Sequence, residues 1–284
     1  MTAAAMTFVY NESVNLPIWI KYYGSQFGEQ NLYVVDRGSD DGSTENLGNV
    51  NVVRVPRHEF DEDQKTSFMS SFHSALLNFH KTVVMTDCDE IIAPDPAKYR
   101  NLADYIDRVD FEYVNAIGLD ILHIMSEEGP LDLSRTILSQ RRYGCFHSPS
   151  CKQLLSRVPM SWLPGFHSSN RPPYFDTDLY MFHTKVMDYG IAMKRQQINL
   201  DTSWSESSLN RNLGAHHRFK YPLFVHQNFL VPMDVLNRQA YQDFDFKQEI
   251  ESIVSNTVFS DGYYSIPMNV ERRVTIPDRF KEVF

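Results

Sequence analysis

Cysteine is scarce. Only Cys88, Cys145 and Cys151 occur among 284 residues. That is too few for a disulfide framework, so the chain is expected in a reducing compartment. "CFHSPSC" (145–151) brings Cys145, His147 and Cys151 close together in sequence, but no second ligand cluster at standard spacing completes a zinc site. A surplus of positive charge is also missing. Lys and Arg number 27 against 36 Asp and Glu, the net charge is −9, and no basic stripe is present. The chain therefore lacks the electrostatic footprint of a nucleic-acid binder and any polybasic membrane patch. Long apolar runs are absent too: none approaches the roughly 18 residues of a membrane span. "MTAAAMTFVYNES" (1–13) has neither the basic start nor the apolar stretch of a signal peptide. These absences predict a cytoplasmic protein with no transmembrane segment, with peripheral contact at the inner face of a membrane left open.

What is present is an alternation of short apolar runs and longer amphipathic stretches, without internal repeats. Strands are predicted at 6–10, 31–36, 50–55 and 82–87, and helices at 16–27 and 64–81. In the second helix Phe68, Phe72, Leu76 and Phe79 recur near helical spacing and predict its buried face. Strands separated by helices suggest an α/β fold with a mostly parallel sheet. Further on, 113–125, 152–159 and 178–186 read as strands, the Gly- and Pro-rich 161–173 as loop, and 187–199 as helix. From about 201 the pattern weakens. "EFDED" (59–63) and 201–214 read as solvated or mobile.

In such sheets ligands gather outside the carboxyl ends of the strands. Three of the four early strands end in polar or acidic residues: Asn11 and Glu12 after the first, Asp36 with Asp40 and Asp41 after the second, Asp87 and Asp89 after the fourth. "VVMTDCDEII" (83–92) sets Asp87, Asp89 and Glu90 in an otherwise apolar run, and buried carboxylates are costly without partners. On extended backbone Asp87 and Asp89 would share one face, with Cys88 on the other. Two carboxylates so placed suit a divalent cation, Mg²⁺ or Mn²⁺, which also takes phosphate oxygens from a substrate. An Asp-nucleophile phosphotransferase would use the same pattern differently.

"FVYNESVNLPIWIKYYGSQFGEQNLYVVDRGSDDGST" (8–44) together with "TDCDEII" (86–92) resembles the opening of family-2-like glycosyltransferases of the GT-A fold and their Asp-x-Asp motif. "CKQLLSR", "GFH" and "LYMFHTKVMDY" are similar, more loosely, to later elements, and the match covers about residues 6–195. The resemblance implies a Rossmann-like GT-A domain over 1–200, with a nucleotide-binding half at about 1–95 and an acceptor half at about 96–200. Residues 201–284 would form a C-terminal extension packed on it. It implies transfer of a sugar from a nucleotide sugar, most simply a UDP-sugar, to a hydroxyl of a glycan or glycolipid acceptor. Asn11, Glu12 and Asp36 would line the nucleotide pocket. Asp87 and Asp89 would hold the donor diphosphate through Mn²⁺ or Mg²⁺. His183, with His167 as a rival, would add a metal or diphosphate contact, and Lys185 would meet phosphate charge.

Each of these residues has a plainer alternative. Asp36 also suits a turn, Asn11-Glu12 a helix N-terminal cap, His183 a core position, and Lys185 a solvated surface. The Glu-Asp pair that many inverting relatives place after the acceptor strand has no counterpart here. Asp120, Glu127, Glu128, Asp176 and Asp178 are the remaining base candidates, with Asp120 and Asp176 preferred. Arg37 stands where many relatives carry a second Asp. "YPLFVHQNFLVPM" (221–233) reads as core first and as contact for an acceptor lipid second. A catalytically silent nucleotide-binding scaffold of the same fold is the alternative to an enzyme.

Overall fold

The computed structural model describes residues 3–284. Met1 and Thr2, where the segment read for a signal peptide begins, lie outside the described residues. Four strands run parallel in the spatial order β4-β1-β2-β3: β1 (Ala3–Val9), β2 (Leu32–Asp36), β3 (Asn51–Arg54) and β4 (Thr82–Met85). β1, β2 and β4 are almost wholly buried, which is why their sequences are near-continuous apolar runs. Helix α1 (Asn15–Phe27) crosses from β1 to β2, and α2 (Glu62–Leu76) from β3 to β4.

The remaining sheet is mixed. It contains β5 (Glu90–Pro94), β6 (Tyr113–Leu122), β7 (Tyr143–His147) and β8 (Leu155–Ser156), with α3 (Leu102–Arg108) between β5 and β6. β8 lies antiparallel between β4 and β6, and β7 runs antiparallel to β6. After β9 (Ser168–Ser169), β10 (Phe175–His183) runs parallel to β6 and antiparallel to β5. Helices α4 (Tyr189–Asp201), α5 (Glu206–Asn210), α6 (Tyr221–Val225), α7 (Val231–Asn237) and α8 (Lys247–Ser255) follow, with a π-helical turn, His226–Leu230, joining α6 to α7. β11 (Val258–Ser260) and β12 (Tyr263–Ser265) build a small sheet with β9, and β13 (Glu271–Thr275) pairs with β7 at the edge of the large one. The expected α/β architecture, a largely parallel sheet flanked by helices with a C-terminal extension, is the one the chain adopts.

The extension is tied into the body. Phe280 is fully buried, Ile137 N–H donates to the Phe284 carbonyl at 2.7 Å, and Arg279 holds Asp95 at 2.9 Å. No helix of the described residues is long and apolar enough to cross a membrane.

Several local expectations need correction. The strand expected at 152–159 is only Leu155–Ser156, although Lys152, Leu154 and Arg157 on either side still make single backbone bonds to Ala116, Met85 and Glu112. The 113–125 strand ends at Leu122, and the 64–81 helix ends at Leu76. Its buried face is Glu62, Thr66, Met69, His73 and Leu76, while Phe68 is 37% and Phe79 80% exposed. The phenylalanine stripe lies about 100° round the helix from the buried one. Glu62 N–H bonds Ser208 Oγ at 3.2 Å and Lys65 reaches Asp87, contacts that fix the roll of the helix. Residues 59–63 and 201–214 pack on each other through a few side chains, while most of 201–214 is exposed, as a solvated stretch is. Asp61 caps α2 through Gln64 N–H at 2.9 Å and accepts from Ser205 Oγ at 2.7 Å. Phe60 meets Trp204 edge-to-face at 4.8 Å. In 221–233, Phe224 and Phe229 are buried whereas Leu223 and Leu230 are exposed.

Candidate functional site

The carboxyl ends of β1 and β4, with β6, β7, β10 and the 200–219 segment, surround a cleft of about 900 Å³. That is ample for a ligand of nucleotide-sugar size. Helix α1 positions its floor. Trp19, Tyr22 and Tyr23 lie at i, i+3 and i+4 and therefore share one face. Trp19 Nε1 donates to Thr86 Oγ1 at 2.8 Å and the Tyr22 hydroxyl to the Ile92 carbonyl at 2.8 Å. The Tyr23 hydroxyl donates to the Glu90 carbonyl at 3.2 Å and accepts from Ile92 N–H at 2.9 Å. These bonds bracket the acidic segment 87–90 on both sides.

That segment is a turn, not extended strand. Glu90 N–H donates to the Asp87 carbonyl at 3.1 Å, and Asp87 N–H donates to Glu90 Oε2 at 3.0 Å. Cys88 is buried, and the two aspartates, which both line the cleft, have different partners. Asp87 Oδ1 takes the Lys65 ammonium at 3.0 Å and its Oδ2 takes Lys152 at 2.9 Å. Lys152 also donates to Glu90 Oε1 at 2.6 Å. Burial works against the Asp87 charge, but the Lys152 and Lys65 ammonium groups outweigh it and hold the carboxyl well below its usual range. Burial raises the proton affinity of Glu90, yet both its oxygens accept N–H donors, so the geometry holds it as carboxylate.

Asp89 faces His183, whose Nε2 lies 3.3 Å from its Oδ2. His183 Nδ1 bonds Asp120 Oδ1 at 2.9 Å. Burial opposes the imidazolium, but Asp89 and Asp120 prevail and raise its pKa to about 10. Asp120 is a hub: Ser150 Oγ donates to Oδ1 at 2.8 Å, and His147 Nδ1 lies 3.1 Å from Oδ2. Lys185 lines the same cleft without an ion pair among the described residues. Burial lowers its pKa even though Asp89 and Asp120 are near.

At the β1 end Glu12 lines the cleft, paired with Arg195 at 3.0 Å, and burial lifts its carboxyl to about 7 against that pull. Asn11 sits at φ 53° and latches the 37–43 loop, donating to Asp40 Oδ1 at 2.8 Å and accepting from Asp40 N–H at 3.0 Å. Asp36 is fully buried and does not line the cleft. It accepts from Ser39 N–H at 2.8 Å and Thr44 Oγ1 at 2.9 Å, the turn-forming role a strand-end Asp also suits. Neither Asn11 nor Asp36 is among the residues that line the cleft. Arg37 does line it, stacked 5.3 Å from Tyr10 and 4.9 Å from Phe60. His216 and His217, which carry no assignment in sequence, stand in the opposite wall with ring centroids 4.0 Å apart.

The other expected residues divide. His167 lines the cleft, but its Nδ1 donates to the Pro149 carbonyl at 2.7 Å, and burial with nearby Lys152 depresses its pKa to about 3. Asp176 lies away from the cleft, bonded to the Tyr105 hydroxyl at 2.8 Å, so it is no base for this site. Asp178 pairs with Lys98 at 2.7 Å, Glu127 accepts from Tyr143 at 2.7 Å, and Glu128 caps Ile124 N–H at 2.9 Å. Cys145 and Cys151 are buried thiols pushed up to about 12 by burial, and His147 turns to Asp120 instead of to them.

Among the described residues no group of three or more His, Cys, Asp or Glu is arranged to hold a metal ion. Asp87 is engaged by ammonium groups on both oxygens, and His167 is not gathered with the others. Asp89 and His183 face the polar cleft as a hard carboxylate oxygen and an imidazole nitrogen 3.3 Å apart; to hold a divalent cation the pair would first have to give up the Nε2 proton it now shares.

No family model and no curated protein sequence matches the chain. Among solved structures it is similar to mannose-1-phosphate geranyltransferase from Thermus thermophilus. That match has 11% identity and a TM-score of 0.31, over 77% of this chain and 66% of that one. It is also similar to mannosyltransferase PcManGT from Pyrobaculum calidifontis in complex with GDP-Man and Mn²⁺. Here identity is 15% and the TM-score 0.30, over 71% of this chain and 53% of that one. The chain thus spans just under two thirds and about half of those proteins. Likenesses this distant carry no residue roles over to the cleft.

Proposed function

We propose that this protein is a glycosyltransferase of the GT-A type that moves a sugar from a nucleotide sugar, most simply a UDP-sugar, to a hydroxyl of a glycan or glycolipid. The observation that carries the reading is the charge arrangement at the ends of β4, β8 and β10. Three ammonium groups, Lys65, Lys152 and Lys185, and the Asp89–His183 pair face one cleft large enough for the donor. Lys185, without an ion pair among the described residues, would meet diphosphate oxygens. Asp89 and His183 would hold Mn²⁺ or Mg²⁺, and what the cation supplies when bound is neutralisation of charge developing on the diphosphate. Asp87 orders Lys65 and Lys152 rather than binding the cation itself. Tyr10, Arg37 and Phe60 offer stacking surfaces at the β1 end, and Asp120 marks the end where an acceptor hydroxyl enters. The 1–200 unit would carry this chemistry, with 201–219 supplying one wall.

An Asp87 nucleophile has little to recommend it, since both oxygens are held by ammonium groups. A panel of UDP- and GDP-sugars, incubated with Mn²⁺ and mixed glycolipids, tests the proposal through release of nucleoside diphosphate. Turnover with one donor, lost in Asp89→Ala, is the expected result. Tight nucleotide-sugar binding with no turnover on any acceptor would make the chain a silent scaffold instead.

A further inference from the structure

Asp120 is a carboxylate of the cleft and so a natural candidate for the base, but its geometry leaves it unsuited to take a proton. Its Oδ1 already accepts from Ser150 Oγ at 2.8 Å and from His183 Nδ1 at 2.9 Å, and its Oδ2 faces His147 Nδ1 at 3.1 Å. His147 is different. Its ring is only partly buried, with the side chain 34% exposed, it lines the cleft, and Nε2 makes no hydrogen bond to the described residues. The Asp120 carboxylate faces Nδ1, so Nε2 is the ring nitrogen left to the cleft. The backbone supports the arrangement. His147 is the last residue of β7, and the 3-10 turn Ser148–Ser150 that follows returns Ser150 to Asp120.

We infer that His147 is the general base of the transfer, with Asp120 as its positioning residue. The inference rests on the glycosyltransferase reading of the cleft. In the step it describes, the acceptor oxygen forms a bond to the anomeric carbon of the donor sugar. The bond from that carbon to the diphosphate oxygen breaks, and its electron pair leaves with the nucleoside diphosphate. The hydroxyl proton passes to His147 Nε2. A positioned base of this kind contributes about 10²–10⁴-fold in rate. The sequence gives a weak hint only: His147 sits in "CFHSPSC", where the flanking cysteines draw attention to zinc.

The test uses full-length protein and the nucleotide sugar from the UDP- and GDP-sugar panel that wild type cleaves fastest, with water as the acceptor, so that no natural acceptor need be known. His147→Ala should lower turnover at saturating donor by about 10²-fold or more. Donor affinity should stay within about twofold, and added imidazole should restore part of the rate. His147→Gln guards against a folding defect and should lose turnover equally with an unchanged unfolding midpoint. Asp120→Asn should lower turnover and, by ¹⁵N NMR of labelled histidine, release His147 from the Nδ1–H tautomer. Turnover within about threefold of wild type in both His147 variants overturns the inference. So does a loss of turnover that imidazole cannot rescue and that matches a loss of donor affinity. A wild-type protein that cleaves none of these donors, with water or with the mixed glycolipids as acceptor, overturns the transfer reading first, and the role of His147 falls with it.

Discussion

Replacing Lys152 with methionine removes one ammonium group from between the buried Glu90 carboxylate and the partly exposed Asp87 carboxylate. Lys152 Nζ lies 2.9 Å from Asp87 Oδ2 and 2.6 Å from Glu90 Oε1, with side-chain exposures of 7% for Lys152 and 1% for Glu90. Methionine keeps most of the aliphatic stem, so little packing is lost. What remains is a Glu90 carboxylate without its cation and an Asp87 left with Lys65 alone. Breaking a buried pair in this way costs about 3–5 kcal/mol. Urea unfolding at pH 7.5 should show that loss as a lower midpoint at unchanged slope. Glu90→Gln in the Lys152→Met background removes the orphaned charge and should recover roughly 1 kcal/mol or more, the coupling expected of residues in direct contact. The two variants also separate stability from function, because the double variant still lacks an ammonium group in the cleft and should bind a nucleotide sugar weakly. A single-variant loss below about 1 kcal/mol, the range of an exposed ion pair, would show that the carboxylates are compensated elsewhere.

Other outcomes follow from the same geometry. Tyr23→Phe leaves the Glu90 carbonyl and Ile92 N–H without their shared hydroxyl and should cost about 1–3 kcal/mol in urea unfolding; no change would mean that α1 does not fix the acidic turn. His73 is fully buried beside Trp162, and burial depresses its pKa from 6.5 to about 4, so the neutral ring is favoured in the folded state. Its contribution is present above pH 6.5 and is lost as pH falls toward 4. The stability difference between wild type and His73→Met should move by about 3 kcal/mol in favour of the variant between pH 7 and pH 4; a constant difference would refute the assignment. Glu12 runs the opposite way. Burial raises its pKa from 4.5 to about 7, so its contribution is present below pH 4.5 and lost as pH rises through 7. Glu12→Gln should therefore gain stability relative to wild type between pH 5 and pH 8, and a relative loss over that range would contradict the shift.

The first ninety residues were legible because buried parallel strands are read from continuous apolar runs, and because Pro, Gly and Asp punctuate them. The later half was not. β8 is two residues long, and it is a strand only because β4 and β6 flank it. Asp87 and Asp89 were conspicuous as charges in an apolar run. Their partners were not, since Lys65 lies 22 and Lys152 65 residues away in sequence. A lysine in an amphipathic helix or a loop looks solvated until the fold brings it to a carboxylate. Asp36 shows how a strand-end Asp can suit both a binding site and a turn: here it makes the turn's hydrogen bonds and does not line the cleft. His147 was visible only as a member of "CFHSPSC", because its pairing with Asp120 depends on the β6–β7 ladder.

The central claim is that the cleft binds a nucleotide sugar with a divalent cation held at Asp89 and His183. Calorimetric titration of UDP, GDP and their sugars, with and without Mn²⁺, on wild type and Asp89→Ala tests it most directly. The account predicts binding by one nucleotide series that strengthens with Mn²⁺ in wild type and loses that dependence in Asp89→Ala. Absence of binding by every nucleotide under both conditions, or Mn²⁺-dependent binding untouched by Asp89→Ala, would contradict it.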